Sequence, residues 1–355
     1  MHVWARASIE HTLTAPQARV LDAVIRPSLS VVMPVYNEAE HLPSTIAALV
    51  EAVGRSDFEA ELVVVDDGST DGSAKVTQSA LAARLALRLI AQPNRGRIEA
   101  RRAGLEAARG EWVLLLDARV RPYRDALAFA RSRLDAGERV WTAHVEVIAD
   151  RNPFGTFWKL LAELAWAEYF RSPRTTSFGS DDFDRYPKGT TCFLAPRSLV
   201  IEALRAFRSR YMDPRQANDD TPFIRWIADR ERIHISPLFA CDYAPRSTLR
   251  AFVRHSYHRG IVFLDGHGRR ESTFFPIVAA FYPVSALVAL AILRRPSVAP
   301  CAAALTSLAA GGLGIARRRS SFELASLAVL APVYAAAHGA GMWRGLAMLA
   351  RRRLG

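Results

Sequence analysis

The chain is organised around short apolar runs that stop abruptly in polar residues. The run Leu29-Ser-Val-Val-Met-Pro-Val-Tyr-Asn-Glu38 ends in Asn37 and Glu38, and Leu62-Val-Val-Val-Asp-Asp-Gly-Ser-Thr-Asp71 reaches the adjacent carboxylates Asp66 and Asp67. Consecutive apolar positions suit strands buried on both faces, whose polar ends emerge at the carboxyl edge of a parallel sheet. Around these runs the spacing becomes helical. It predicts helices over 39–53, from Ser73 onward and over 98–109, with strands over 87–91 and 112–116. Strands alternating with helices imply βαβ units. From 118 to 245 the pattern is less regular: 140–148 is strand-like, 154–170 is aromatic, and 222–228 is helical.

Three further apolar runs follow, over 274–293, 297–316 and 322–343. Each is about 20 residues long, enough to cross about 30 Å of hydrocarbon. Glu323 and His338 in the third are costly in lipid unless they face protein. If all three span, Arg294-Arg295 and Arg351-Arg352-Arg353 lie opposite Arg317-Arg318-Arg319. Two spans plus an interfacial third helix would return the C-terminal arginines to the cytoplasmic side, and both topologies stand. The expected organisation is a lead-in over 1–27, amphipathic or poorly ordered, an α/β domain over 28–245, a basic interfacial linker or helix over 246–272, and a membrane region over 273–355. The lead-in carries no apolar stretch of signal-peptide length, so the α/β domain is expected in the cytoplasm and the chain in the plasma membrane as a multi-pass protein.

Composition changes this picture in two respects. The net charge of +12 comes almost entirely from scattered arginines without a nucleic-acid-binding motif. Nucleic acid is therefore excluded as a partner in favour of membrane lipids with anionic headgroups. Cys192, Cys241 and Cys301 form no Cys-x-x-Cys pair, and His255, His258 and His267 lack an evident fourth ligand, so neither a disulfide framework nor a zinc site is indicated. An EF-hand reading of Asp67, Ser69, Asp71 and Gly72 fails at its twelfth position, where Gln78 replaces the bidentate Glu.

The two strand-end motifs, at this separation, resemble the opening of the family 2 glycosyltransferases, inverting enzymes with a GT-A fold, and the resemblance extends over about residues 29–260. Bacterial members of that family also carry trailing membrane helices. The resemblance implies an α/β class: a Rossmann-like, mostly parallel sheet flanked by helices, then C-terminal transmembrane helices. It implies that Asp66 and Asp67, with Pro34, Tyr36 and Glu38, hold the base and ribose of a nucleotide sugar. In Asn94-Arg-Gly-Arg-Ile-Glu-Ala-Arg-Arg-Ala-Gly104, Arg97 stands at the family's diphosphate-proximal Lys position, while Arg95 and Arg101 read equally as a solvated basic helix face. Asp117-Ala-Arg119 occupies the position of the Asp-x-Asp motif, whose carboxylates bind a divalent metal on the diphosphate. Asp117 is thus the candidate ligand for Mg²⁺ or Mn²⁺, but Arg119 replaces the second acid and suggests a fixed cation in the metal's stead.

Gly189, Thr190 and Thr191 match the segment flooring the sugar and acceptor pocket. Asp219 and Asp220 stand at the family's Glu-Asp pair, with Asp220 at the general-base position. Adjacent carboxylates repel, which raises one pKa, and an Asp before a Pro-started helix caps it, so one acid is expected to cap while the other reacts. The reaction implied is inverting transfer of a sugar from a nucleotide donor to a hydroxyl of a lipid-linked or polysaccharide acceptor. The alternatives are a polyprenyl-phosphate sugar synthase, whose acceptor needs no base, and a non-catalytic membrane scaffold. A dehydrogenase is disfavoured because no Gly-x-Gly-x-x-Gly follows the first strand.

Overall fold

The computed structural model of the chain describes residues 27–80 and 85–354, so the expected lead-in lies outside the described residues apart from Pro27. The chain divides into two compact units. One comprises the residues up to Thr142 together with Thr191–Leu204, and the other Ala143–Thr190 together with the residues from Arg205 onward. The boundary therefore falls inside the stretch expected to form one domain over 28–245.

The first unit is built on the apolar runs. Strands β1 (Leu29–Val35), β2 (Ala60–Asp66), β3 (Ala86–Ala91) and β4 (Trp112–Leu116) pair in parallel in the order β3-β2-β1-β4, with Val35 opposite Asp66 and Leu29 opposite Trp112. The sheet continues through β9 (Cys192–Pro196), antiparallel to β4, and the short β6 (Trp141–Thr142), antiparallel to β9. Val31, Val32, Met33 and Leu62–Val65 are fully buried, as strands covered on both faces require. Helix α1 (Leu42–Gly54) packs Leu42, Ile46, Leu49 and Val53 inward at helical spacing. The helices α2 (Ser73–Ala80) and α3 (Arg97–Ala107) follow β2 and β3. Gly104 lets α3 approach the sheet, since a Cβ there would come within 2.5 Å of Val32 Cγ1. One acid inside a strand is accounted for. Buried Glu61 accepts hydrogen bonds from Ser30 Oγ at 2.6 Å and Arg109 N at 2.7 Å. Beyond β4 come β5 (Val120–Pro122) and α4 (Ala126–Asp135), and α7 (Arg197–Ala206) follows β9.

In the second unit the stretch expected as one strand over 140–148 has already broken at Ala143, and β7 (His144–Val147) pairs in parallel with β11 (Ala240–Tyr243). The aromatic segment folds as helices α5 (Pro153–Ala165) and α6 (Ala167–Arg171), with Asn152 Oδ1 capping α5 through Phe154 N and Gly155 N. Short strands β8 (Thr176–Phe178) and β10 (Ile233–Ile235) pair antiparallel, and α8 (Thr221–Ala228) lies between them in sequence. The expected basic segment is a regular helix, α9 (Leu249–His267), capped by Thr248 Oγ1.

The apolar runs form α10 (Phe275–Arg294), α11 (Val298–Ala316) and α12 (Ser321–Leu354), all long and apolar enough to cross a membrane. They differ in packing: 6% of the apolar window is buried in α10 and in α11, but 28% in α12. Leu327 and Leu330 of α12 join Phe157, Leu160 and Phe252, and Met342 joins Leu264 and Val278. Gly260 of α9 and Gly341 of α12 bring the two backbones together, since a Cβ on either would strike the other helix's carbonyl at His338 or Tyr257. Arg319, in the turn before α12, pairs with Glu163 of α5 at 2.6 Å.

Candidate active site

At the carboxyl edge of the first unit the two strand-end loops are tied to each other. Asn37, with φ +55°, donates its N–H to Ser69 Oγ and accepts from Thr70 N at 2.8 Å. Glu38 N–H donates to Ser73 Oγ, and Ala39 N–H to Asp71 Oδ2. Asp71 Oδ1 accepts from Ser73 N and Oγ, and although burial pushes its carboxyl up, these bonds hold it below its ordinary range. Its Oδ1 thus serves the start of α2 and its Oδ2 the loop after β1.

The adjacent acids of β2 have distinct tasks. Asp66 turns its Oδ1 to Ser69 N at 2.8 Å. Asp67 Oδ1 accepts from Gln92 Nε2 and Arg95 N, and its Oδ2 from Gly96 N at 2.8 Å. Asp67 thereby fixes the turn that starts α3. Gly68, at φ +80°, faces that turn so closely that a Cβ would come within 2.8 Å of Asn94 N. Tyr36 is half exposed beside these acids, Pro34 is half-buried in β1, and Arg97 is exposed at the first residue of α3.

The end of β4 carries two ion pairs. Arg119 Nε lies 2.9 and 2.8 Å from the Glu38 oxygens, with both side chains 14% exposed. Arg101 Nη2 donates to Asp117 Oδ1 at 3.1 Å, and the Arg101 side chain is only 2% exposed. The reading of Arg101 as solvated is therefore corrected. Ile98, Arg101 and Leu105 share the buried face of α3, and Asp117 supplies the charge that such burial demands. Arg102, by contrast, is on the surface with Glu99.

This donor set does not fit a divalent cation. Asp117 is met by a guanidinium, the second position is itself Arg119, and no group of His, Cys, Asp and Glu able to hold a metal gathers among the described residues.

In the second unit, Asp220 stands at the N-cap position of α8 yet makes no capping bond. Its Oδ1 instead accepts from Thr190 N at 3.0 Å and from Thr190 Oγ1. Asn218 Oδ1 does the capping, accepting from Thr221 N at 2.9 Å and Asp220 N at 3.2 Å. Of the pair expected to supply a cap, Asp220 does not cap: an amide on the preceding turn serves, and Asp220 Oδ1 turns to Thr190. Thr190 is fully buried, while Gly189, Thr191 and Asp219 are partly buried.

Two acids that sequence reasoning missed hold these segments. Asp265 of α9 is fully buried and accepts from Ser209 Oγ, Arg210 N and Asn218 N at 2.7–2.9 Å. Asp184 accepts from Arg225 Nη2 at 3.0 Å and Thr273 Oγ1 at 3.0 Å, with Lys188 Nζ at 3.7 Å. Burial pushes the Asp184 carboxyl up, but Thr273, Arg225 and Lys188 hold it below its ordinary range. Burial lowers Lys188 to about 8 despite Asp184. It lowers His267 to about 4, between the rings of Phe263 and Phe274. A lone acid in the apolar run Gly260-Ile-Val-Phe-Leu-Asp265 was the available signal for the first of these clamps.

Residues 30–200 match the family described as Glycosyl transferase family 2. Among curated proteins the chain is 39% identical over 92 residues to an undecaprenyl-phosphate 4-deoxy-4-formamido-L-arabinose transferase of Proteus mirabilis, covering 25% of this chain and 28% of the relative. It is 35% identical over 92 residues to an uncharacterized glycosyltransferase of Haemophilus influenzae, covering 26% and 36% respectively. The chain thus spans about a third or less of the length of these relatives. Among solved structures, the mannosyltransferase PcManGT from Pyrobaculum calidifontis, in complex with GDP-Man and Mn²⁺, aligns over 94% of this chain and 88% of its own, with a TM-score of 0.49 at 22% identity. S. aureus TarS 1–349 with UDP-GlcNAc aligns over 67% of each chain, with a TM-score of 0.46 at 17% identity.

Proposed function

From the premise that this chain belongs to glycosyl transferase family 2 through residues 30–200, we propose that it transfers a sugar from a nucleoside-diphosphate donor, with inversion, to an acceptor carried at the cytoplasmic face of the membrane. The observation that carries the reading is Asp220, a carboxylate whose Oδ1 accepts from the N–H and the hydroxyl of Thr190 at the head of α8. A carboxylate fixed in this way is positioned to take the proton of an acceptor hydroxyl. Tyr36 offers a face to the base, and Asp66 and Asp67 attend the nucleoside. The acceptor oxygen attacks the anomeric carbon as Asp220 takes its proton, and the bond to the diphosphate breaks in line. Arg119 and Arg97 meet the charge that develops on the leaving diphosphate, the work that a metal ion does elsewhere.

We read α10 and α11 as membrane spans and α12 as a helix lying on α9. The ion pair of Arg319 with Glu163 and the close Gly260–Gly341 approach support this reading, because both tie α12 to the polar part of its own unit. The arrangement keeps Arg317–Arg319 and Arg351–Arg353 on the cytoplasmic side.

The names of the curated relatives favour a second reading, transfer to the phosphate of a polyprenyl lipid, which needs no base. The test is turnover of UDP-, GDP- and dTDP-sugars by the detergent-purified chain, with a lipid extract as acceptor, in Mn²⁺ and in chelator. Release of one nucleotide that persists in chelator is the expected result. Binding of no nucleotide sugar would overturn the enzyme reading, and activity abolished by chelator and restored by Mn²⁺ would overturn the role given to Arg119.

A further inference from the structure

The second unit has an open pocket of about 400 Å³ on one face of α9. Arg254, Tyr257 and His258 line it at successive helical turns, Arg344 of α12 faces them, and Asp213 and Gln216 come from the turn before α8. Its charge is positive. The Arg254 and Arg344 side chains are exposed and make no hydrogen bond or ion pair among the described residues. Asp213 does not neutralise them, since Arg215 Nε and Nη2 each lie 3.0 Å from its oxygens. The buried Gln216 Oε1 has no hydrogen-bond partner, and turning that amide would present an N–H₂ donor instead.

Beside the cations runs an apolar stripe. Leu249, Val253 and Tyr257 are 54%, 37% and 37% exposed and recur every fourth residue on α9, and Arg250, Arg254 and His258 follow them at the same interval. A free anion would be served by the cations alone. Cations abutting an exposed apolar stripe, on the helix that packs against α12, fit an amphiphile.

We propose that Arg254, His258 and Arg344 hold the anionic phosphate headgroup of a membrane lipid, with Leu249, Val253 and Tyr257 against its acyl chains. The proposal rests on the reading of α10 and α11 as membrane spans. It is independent of the transfer chemistry.

Native mass spectrometry of the full chain, released from nanodiscs of equal phosphatidylglycerol and phosphatidylcholine, tests it. Wild type is expected to retain phosphatidylglycerol preferentially. The double variant Arg254→Gln/Arg344→Gln should lose that preference by about 25-fold, at about fivefold per arginine near a charged surface. The Arg294→Gln/Arg295→Gln pair should change it by less than about twofold. Arg254→Lys/Arg344→Lys should keep most of the preference, which separates lost charge from lost folding. Equal losses in the two Gln pairs, or displacement of the retained lipid by excess inorganic phosphate, would overturn the proposal. Lipid retained without headgroup preference would also overturn it while leaving the membrane reading intact. A chain monodisperse without detergent and free of either lipid would overturn the membrane reading itself.

Discussion

In the first unit the strand-end acids are met by cations and backbone donors: Glu38 by Arg119, Asp117 by Arg101, Asp67 by Arg95 N and Gly96 N. In the second unit Asp220 Oδ1 is met by a hydroxyl and an N–H of Thr190, and the cations Arg225 and Lys188 gather on Asp184. The first arrangement presents cations held in place by acids and suits a partner that brings its own negative charge. The second presents a carboxylate oriented by one buried threonine, the group to which the proposed reaction gives the acceptor's proton.

The largest expected effect tests the second half of that contrast. Asp220→Asn removes the base and should lower turnover about 10²–10⁴-fold with thermal stability little changed, if the acceptor is a hydroxyl. Activity kept near wild type would move the chain to a phosphate acceptor. Arg101→Met attacks the first half, taking the buried guanidinium away from partly buried Asp117. It should cost about 3 kcal/mol in denaturant unfolding, most of it recovered in Arg101→Met/Asp117→Leu. A surface role for Arg101 predicts no such recovery.

Asp265→Asn should lower kcat by about 30-fold while donor KM stays within about twofold, because the turn carrying Asp220 shifts and the strand-end loops do not. A change in donor KM alone would count against the clamp. The smallest effect is titration. His267 has a folded pKa of about 4 against 6.5 for the ordinary side chain. Burial favours its neutral form, as do the nearby cations Lys188, Arg225 and Arg259, and only Asp184 opposes. The unfolded chain therefore binds the proton first, and stability is lost as pH falls from 6.5 toward 4. His267→Gln should flatten that loss by about 1–2 kcal/mol near pH 5, read from unfolding midpoints across pH.

The same contrast separates what was legible in the sequence. Strands β1, β2 and β4 announce themselves because a strand covered on both faces has no polar alternation to hide in, and their ends deliver Glu38, Asp66, Asp67 and Asp117 where the apolar run stops. Arg101 was obscured by its neighbours. Among Arg95, Arg97 and Arg102 it looks like one more surface charge, and only its register with Ile98 and Leu105 betrays its depth. In the second unit little of the wiring is local. Asp265 reaches Ser209 and Asn218 across 56 and 47 residues, and Asp184 reaches Thr273 across 89, so no spacing rule joins them. The capping of α8 misled for a related reason: Asn218 and Asp220 can both cap, and the buried Thr190, 30 residues away, decides between them.

Gly266 sits so close to Asn218 that a methyl group there would strike the amide, and Asn218 in turn holds the backbone of Asp220 and Thr221. Nearly two turns further back, Gly260 lies against α12 with no more room. The two glycines make α9 a spacer of fixed thickness between a helix and the turn that carries the proposed base. With α9 resting at the lipid surface, as proposed, the depth at which the chain floats and the height of one carboxylate are set by the same rod. Selection for a different membrane would then alter the enzyme's reach, and selection for a different acceptor would alter how deeply it rides.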